Sequence, residues 1–162
     1  MTTRVGERPV SGRWFEDLPV GFTVEHVTRR TVTETDNVLF TTMTMNPAPM
    51  HLDADYASRS EFGRPLVNSL FTLGLMIGMS VNDTTLGTTL ANLGMSDVQF
   101  PKPLFHGDSV KVRTTVRSKR ESKSRPNEGI VNFFHEMMNQ DGVVVATCER
   151  AALMRKRPTG TA

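Results

Sequence analysis

The chain has 162 residues and a mass of 18.0 kDa, a length that one hydrophobic core can fill. With 38% hydrophobic and 22% charged residues, it is neither a disordered nor a fibrous chain. A net charge of +2 is too small for a nucleic-acid-binding stripe, and a single cysteine, Cys148, excludes an internal disulfide framework and a cysteine-rich zinc site.

Residues 1–13, rich in Arg, Gly, Pro and Ser, read as a loose arm, and residues 158–162 as a frayed tail. Nothing between them repeats or resembles a linker, so one domain over 1–162 is expected. The first eight residues hold no apolar run, so no secretory leader is expected and the chain is read as cytoplasmic. Residues 21–32 have strand character, with Phe22, Val24, His26 and Thr28 on one side. Thr33 and Asp36 stand in the relation of a capping box and open a helix through Met43. Asn46-Pro47-Ala48-Pro49 breaks it, because proline lacks a donor and restricts the residue before it. Asp53 then caps a short helix over 54–59.

Residues 65–82 read as the main helix, apolar nearly all round and therefore buried on most sides. Asn68, Ser69, Thr72, Ser80 and Asn82 make it a poor membrane span. Gly74 and Gly78, four apart, imply another backbone passing close. Strand patterns follow at 90–93 with 98–100, at 109–117 in strict alternation, and at 130–138 and 143–154. The last two flank Asn139-Gln140-Asp141-Gly142, and Asp-Gly is a hairpin signal. One strand, then helices, then antiparallel strands is an α+β order, with a long helix lying on a curled antiparallel sheet.

Of the four histidines, His26 and His135 fall inside strand patterns and read as structural, and His106 reads as a turn residue before Gly107-Asp108. His51 follows a stiff Asn-Pro-Ala-Pro-Met segment and precedes a helix cap. That places an imidazole, the side chain best suited to proton transfer near neutrality, on a rigid connection.

Three blocks in order, Asn46-Pro47-Ala48-Pro49-Met50-His51-Leu52-Asp53, Phe62-Gly63-Arg64-Pro65-Leu66-Val67-Asn68-Ser69-Leu70 and Phe100-Pro101-Lys102-Pro103-Leu104-Phe105-His106-Gly107-Asp108, resemble the MaoC-like family of (R)-specific enoyl-CoA hydratases. The resemblance implies a hotdog fold, a homodimer or higher homo-oligomer, a coenzyme A thioester as substrate and His51 as a catalytic group. The family motif reads Asp-x-Asn-Pro-hydrophobic-His. Aligned without a gap, Asn46 stands at the Asp and Ala48 at the Asn, while Asn68-Ser69 replaces the usual His-Gly.

The expected site follows from what hydration of an enoyl thioester requires. Asn46 orients a water through its amide, and His51 takes the water proton and returns it to the α-carbon. Backbone N–H groups near Asn68 and Ser69 hold the thioester oxygen at a helix N-terminus. Gly94 is either a second donor or a plain turn glycine. Arg64 meets either a substrate carboxylate or an acidic neighbour such as Glu61. The basic run with Lys119, Arg120, Lys123 and Arg125 is either a solvated hairpin tip or an attraction for coenzyme A phosphates. Met43, Met45, Met50, Met76 and Met79 either line an acyl tunnel or fill the core. Asp53 is the runner-up acid, with capping as its main role.

No metal and no cofactor are expected, coenzyme A being part of the substrate; nor is a nucleic-acid or membrane partner. The reading is a reversible hydratase/dehydratase of enoyl-CoA, with short branched or dicarboxylic esters such as mesaconyl- or itaconyl-CoA suggested by the resemblance. The alternatives are a hotdog acyl-CoA thioesterase and a non-catalytic acyl-CoA binding module.

Overall fold

The computed structural model describes residues 11–158. In chain order it contains a 3-10 turn (Phe15–Asp17), β1 (Thr23–Glu25), β2 (Arg30–Thr31), α1 (Glu34–Met43), α2 (Pro49–Leu52), α3 (Ala54–Ser58), α4 (Ser69–Thr84), β3 (Thr89–Gln99), β4 (Ser109–Glu121), β5 (Glu128–Met138) and β6 (Val144–Arg155). The sheet is antiparallel in the order β1-β4-β5-β6-β3, with β2 also paired to β4. Helix α4 lies across its inner face, the α+β arrangement expected from the sequence.

The local signals explain most of these elements. Thr33 Oγ1 accepts from Asp36 N–H at 3.2 Å while Asp36 accepts from Thr33 N–H at 2.9 Å, so the capping box opens α1 reciprocally. Gly142 adopts φ 76° in the turn between β5 and β6, where Asn139 N–H donates to Val143 O at 3.0 Å. On β4 the alternation of Val110, Val112, Thr114 and Val116 sends one face inward.

Three expectations are corrected. The first strand over 21–32 is two short pieces, because four residues between Glu25 and Arg30 face only two between their β4 partners, Arg113 and Val110, and the excess bulges out with Val27 exposed. The main helix begins at Ser69, not at 65: residues 65–67 are extended, with Leu66 N–H on Met50 O (3.1 Å) and Val67 N–H on Leu104 O (2.9 Å). Asn68 then caps the helix by accepting from Leu70 N–H at 3.0 Å. The arm is not loose at 11–13, since Gly12 and Arg13 donate to Leu86 O and Thr84 O, each at 2.9 Å. A Cβ at Gly12 would stand 2.5 Å from Leu86 N, so only glycine permits this approach. The remaining parts of the expected arm and tail, 1–10 and 159–162, lie outside the described residues.

The core is divided. One cluster, with Val67, Met76, Val112, Met137 and Cys148, lies under the first part of α4. The other, with Phe15, Leu18, Val116, Phe133 and Ala152, lies under the 3-10 turn. Between them each of the three central strands contributes one buried polar side chain: Thr114 on β4, His135 on β5 and Arg150 on β6.

Helix α4 is buried or half-buried except at its first residue and along one stripe, Leu70, Gly74, Gly78 and Asn82. On that stripe Leu70 is 60% exposed, and nothing lies within 4 Å of a Cβ built on Gly74 or Gly78, so among the described residues no backbone approaches the glycine pair. The edge strand β3 also leaves Leu93, Met95 and Val98 exposed. Among the described residues no helix is long and apolar enough to cross a membrane.

Candidate active site

His51 is part of the single turn α2, which Pro49 starts at the first helical position, where its fixed φ suits a helix and its missing N–H costs nothing. Asn46 prepares that turn: its Oδ1 accepts from Ala48 N–H at 3.0 Å. The His51 ring is half-buried, and its Nδ1 lies 2.9 Å from Leu66 O. A carbonyl can only accept, so Nδ1 carries the hydrogen and Nε2 keeps the lone pair in the neutral ring.

The imidazole borders a cavity of about 410 Å³ with Phe62, Leu66, Ser69, Thr72 and Phe100, closed further by Lys102, Leu104 and Val145. Its wall is chiefly apolar. Ser69 is the first residue of α4, whose initial N–H groups have no intrahelical acceptor and sit at the positive end of the helix dipole. The His51 imidazole and a helix N-terminus thus border one largely apolar cavity.

Asn37, fully buried on α1, organises this corner. Its amide nitrogen lies 2.9 Å from Leu66 O, 2.9 Å from His106 Nε2 and 3.2 Å from His51 O, and its carbonyl accepts from Asn68 N–H at 2.8 Å. Leu66 O therefore receives both the amide and the His51 ring, one on each lone pair. No pattern in the sequence singles out Asn37; it is the folded α1 that buries Asn37 and Thr41 while leaving Val38 and Leu39 exposed. His106, read as a turn residue, does sit in the turn, but it also belongs to this array.

The remaining expected site residues divide clearly. Ser69 lines the cavity with His51, and Asn68 does not: its N–H is taken by Asn37, so the donor expected there is already in use. Gly94 lies in the middle of β3 opposite Ala151, away from the cavity wall, and is neither a turn glycine nor a donor in this site within the chain. Arg64 stacks 3.8 Å over the Phe105 ring rather than pairing with Glu61. Asp53 caps α3 by accepting from Tyr56 N–H at 2.9 Å. Met76 and Met79 are core, Met43 and Met45 are exposed, and none of the five methionines lines the cavity.

The basic run is a tip rather than part of this cavity. Lys119 donates to Phe15 O at 2.6 Å and stands 4.1 Å above its ring, fastening the 3-10 turn to the sheet. Arg125 faces Glu128 at 3.7 Å, Arg120 reaches only Glu121 O at 3.4 Å, and Lys123 lies in the exposed turn. Val112 is linked through Met137 to Ala146, beside Val145 of the cavity wall. From Val112 to Arg120 the strand climbs roughly 26 Å at about 3.3 Å per residue.

A second polar array has the connectivity of a hydrolase triad. Asp83 Oδ2 is 2.9 Å from His26 Nδ1, His26 Nε2 is 2.8 Å from Thr114 Oγ1, and Thr114 Oγ1 is 2.9 Å from His135 Nδ1. Thr114 is 1% exposed and borders none of the cavities, so no substrate carbonyl reaches it. His135 is held neutral: burial, then the charges of Arg150 and His26, push its pKa down to about 3. Among the described residues no three His, Cys, Asp or Glu side chains group to hold a metal ion.

The family model described as MaoC like domain matches residues 17–136. Mesaconyl-CoA hydratase of Cereibacter sphaeroides is 32% identical over 151 residues, covering 92% of this chain and 43% of that protein. Beta-methylmalyl-CoA dehydratase of Chloroflexus aurantiacus is 30% identical over 146 residues, covering 90% and 41% respectively. A Mycobacterium tuberculosis protein described as having a double hotdog fold superposes with a TM-score of 0.83 at 20% identity, covering 94% of this chain and 47% of that one. That likeness establishes the hotdog fold. The chain spans somewhat less than half the length of these two curated relatives.

Proposed function

The chain belongs to the MaoC-like domain family, and from that premise we propose that it adds water reversibly to the double bond of an enoyl-CoA thioester. The observation that carries this reading is His51, with Nδ1 tied to Leu66 O and Nε2 free, beside the N-terminus of α4 in an apolar cavity. Nε2 takes a proton from water as the oxygen bonds to the β-carbon. The π electrons move through the α-carbon to the thioester oxygen, which the Ser69 N–H stabilises as an enolate. The imidazolium then returns its proton to the α-carbon, so the elements of one water are added and the ring is regenerated. Asn46 is not among the residues that line the cavity, and its Oδ1 is engaged by Ala48 N–H; we read its amide N–H groups as reaching the attacking water from beside the α2 turn. The chemistry balances without a metal or a cofactor.

The names of the two relatives support an acyl group that is short and dicarboxylic or branched. Pairing with a second copy of the chain is part of the reading. The relatives are about twice as long, and the chain presents an apolar edge strand and an uncovered α4 face where a second hotdog unit would lie. We read residues 14–157 as one such unit. A cytoplasmic location accords with the single, buried, free cysteine and with the site of acyl-CoA metabolism.

The test is a spectroscopic one. Purified protein added to crotonyl-CoA and to mesaconyl-CoA is expected to remove the absorbance of the conjugated thioester without releasing thiol. Free thiol from a saturated acyl-CoA would instead support the thioesterase, and tight binding of both esters with no spectral change would support the binding module.

A further inference from the structure

The cavity beside His51 contains one other ionisable side chain, Lys102. Pro101 and Pro103 flank it, so its backbone is held between two restricted residues and the cation extends from a stiff connection. Among the described residues no carboxylate lies within ion-pair distance of its ammonium. Of the other cations near the site or expected to act in it, Arg64 is committed to the Phe105 ring, Lys119 to Phe15 O and Arg125 to Glu128, while Arg120 and Lys123 lie at the hairpin tip and border no part of this cavity. Among the described residues, an ammonium on the rim of an apolar space is therefore the one positive group there free to meet an anion.

We propose that Lys102 is a specificity-determining residue that selects thioesters whose acyl part ends in a free carboxylate. The two anionic sources on such a molecule are the acyl carboxylate and the phosphates of coenzyme A, and distance separates them. A cavity of 410 Å³ is of the order of 10 Å across if compact, so His51 and Lys102 stand within one short acyl chain of each other. The pantetheine arm from sulfur to the first phosphate is about a dozen bonds, roughly 15 Å extended at ordinary bond lengths. With the reacting carbons at His51 and the thioester oxygen at Ser69, a carboxylate two or three carbons beyond the carbonyl falls inside the cavity. The phosphates fall outside it. The ammonium then supplies a charge-assisted hydrogen bond that a methyl group of similar size cannot accept.

The inference rests on the hydratase reading only for the direction in which the ester lies, and its test needs no turnover. Succinyl-CoA and butyryl-CoA, both saturated and differing by a carboxylate in place of a methyl, are titrated calorimetrically against the wild-type protein, Lys102→Met, Lys102→Arg and Lys102→Glu. The wild type is expected to favour succinyl-CoA by about tenfold or more, Lys102→Met to bring the ratio near one, Lys102→Arg to keep most of it, and Lys102→Glu to reverse it. A wild-type ratio of one overturns the proposal. So does a Lys102→Met protein that binds both esters more weakly with the ratio preserved, since that is the signature of a phosphate contact. Thermal melts of each variant report folding, and the exposed position of Lys102 favours retention of the fold. A ratio that behaves as expected in a protein inert toward crotonyl-CoA and mesaconyl-CoA would keep Lys102 and remove the hydratase reading.

Discussion

Two histidines of this molecule are fixed in much the same way and differ in what surrounds them. His26 has a carboxylate on one nitrogen and a hydroxyl on the other, at 2.9 and 2.8 Å, inside the seam that divides the core. His51 has only a backbone carbonyl on Nδ1, and its far side opens on a cavity. The better-formed hydrogen-bond array is the inert one. Reactivity depends on an unshared lone pair with room for a reactant, and the one ring nitrogen of the seam without a partner among the described residues, His135 Nε2, is sealed in the core. Asp83, a carboxylate, accepts from His26 Nδ1 at one end, and at the other Thr114 Oγ1 lies between His26 Nε2 and His135 Nδ1.

Exchanging the two rings for alanine gives the largest and most opposed effects. His51→Ala is expected to lower hydration of the enoyl ester by about a thousandfold, within the range of general acid–base catalysis, and to shift Tm by only a few degrees. His26→Ala is expected to lose roughly 2–3 kcal/mol of stability, because Asp83 and Thr114 are left with unpaired groups, while activity per folded molecule persists. Activity rates paired with urea midpoints separate the two behaviours. An active His51→Ala protein would remove the mechanism and leave the fold untouched.

The seam should announce itself through pH. His135 binds a proton readily when unfolded, near pH 6.5, and only near pH 3 when folded, so the unfolded chain takes up more protons across that interval. Stability is therefore complete above about pH 6.5 and falls as the pH drops toward 3, by on the order of 5 kcal/mol in total. Urea midpoints at successive pH values are expected to slope downward in the wild type and to flatten in His135→Gln. A parallel slope in both proteins would assign the acid sensitivity to carboxylates elsewhere.

Asn37 sharpens the contrast, since it gives the site the connectivity that the seam has without closing it. Asn37→Ala strips partners from Leu66 O, His51 O, His106 and the Asn68 N–H together. About 3 kcal/mol of stability is expected to go, on the order of 10 °C in Tm for a chain of this size, with a fall in kcat and little change in KM. Asn37→Asp keeps the acceptor toward Asn68 and loses the donor; a variant with wild-type kcat would show that His51 is positioned by Leu66 alone.

What the sequence made legible was what neighbouring residues decide: the Thr33–Asp36 box, the Asp141-Gly142 turn, the alternation on β4 and the Asp53 cap. The start of α4 was misplaced because Pro65 is as good an extended residue as a helix opener, and the choice was made by Met50 O and Leu104 O, far along the chain. The role of Asn37 depends on positions 51, 66, 68 and 106, which only folding brings together. His51 was legible because its rigidity is local, built from Pro47 and Pro49. Lys102 was not, because a lysine between prolines has no stated duty until a cavity lies beside it. The part Lys119 plays in fastening the 3-10 turn is not legible either, because its partner, Phe15 O, belongs to a turn 104 positions earlier.

The smallest effects come from Asn46, and they ask how far His51 can be made to resemble His26. Its Oδ1 accepts from Ala48 N–H and holds the turn that presents the imidazole. Asn46→Asp preserves that acceptor, so Tm should move by no more than a degree or two, whereas Asn46→Ala should cost about 1 kcal/mol, the usual worth of a local side-chain cap. The functional consequences run the other way. A carboxylate at this position adds a proton acceptor for the attacking water, and the Asp variant is expected to hydrate crotonyl-CoA several-fold faster than wild type, while the Ala variant is slower by about tenfold. If Asp and Ala slow the reaction alike, the amide N–H groups of Asn46 are indispensable donors; if neither alters kcat while Ala still lowers Tm, the residue shapes the turn and does not touch the water. The first result would make the site a different hydratase from one run by a carboxylate, and the second would leave His51 working alone.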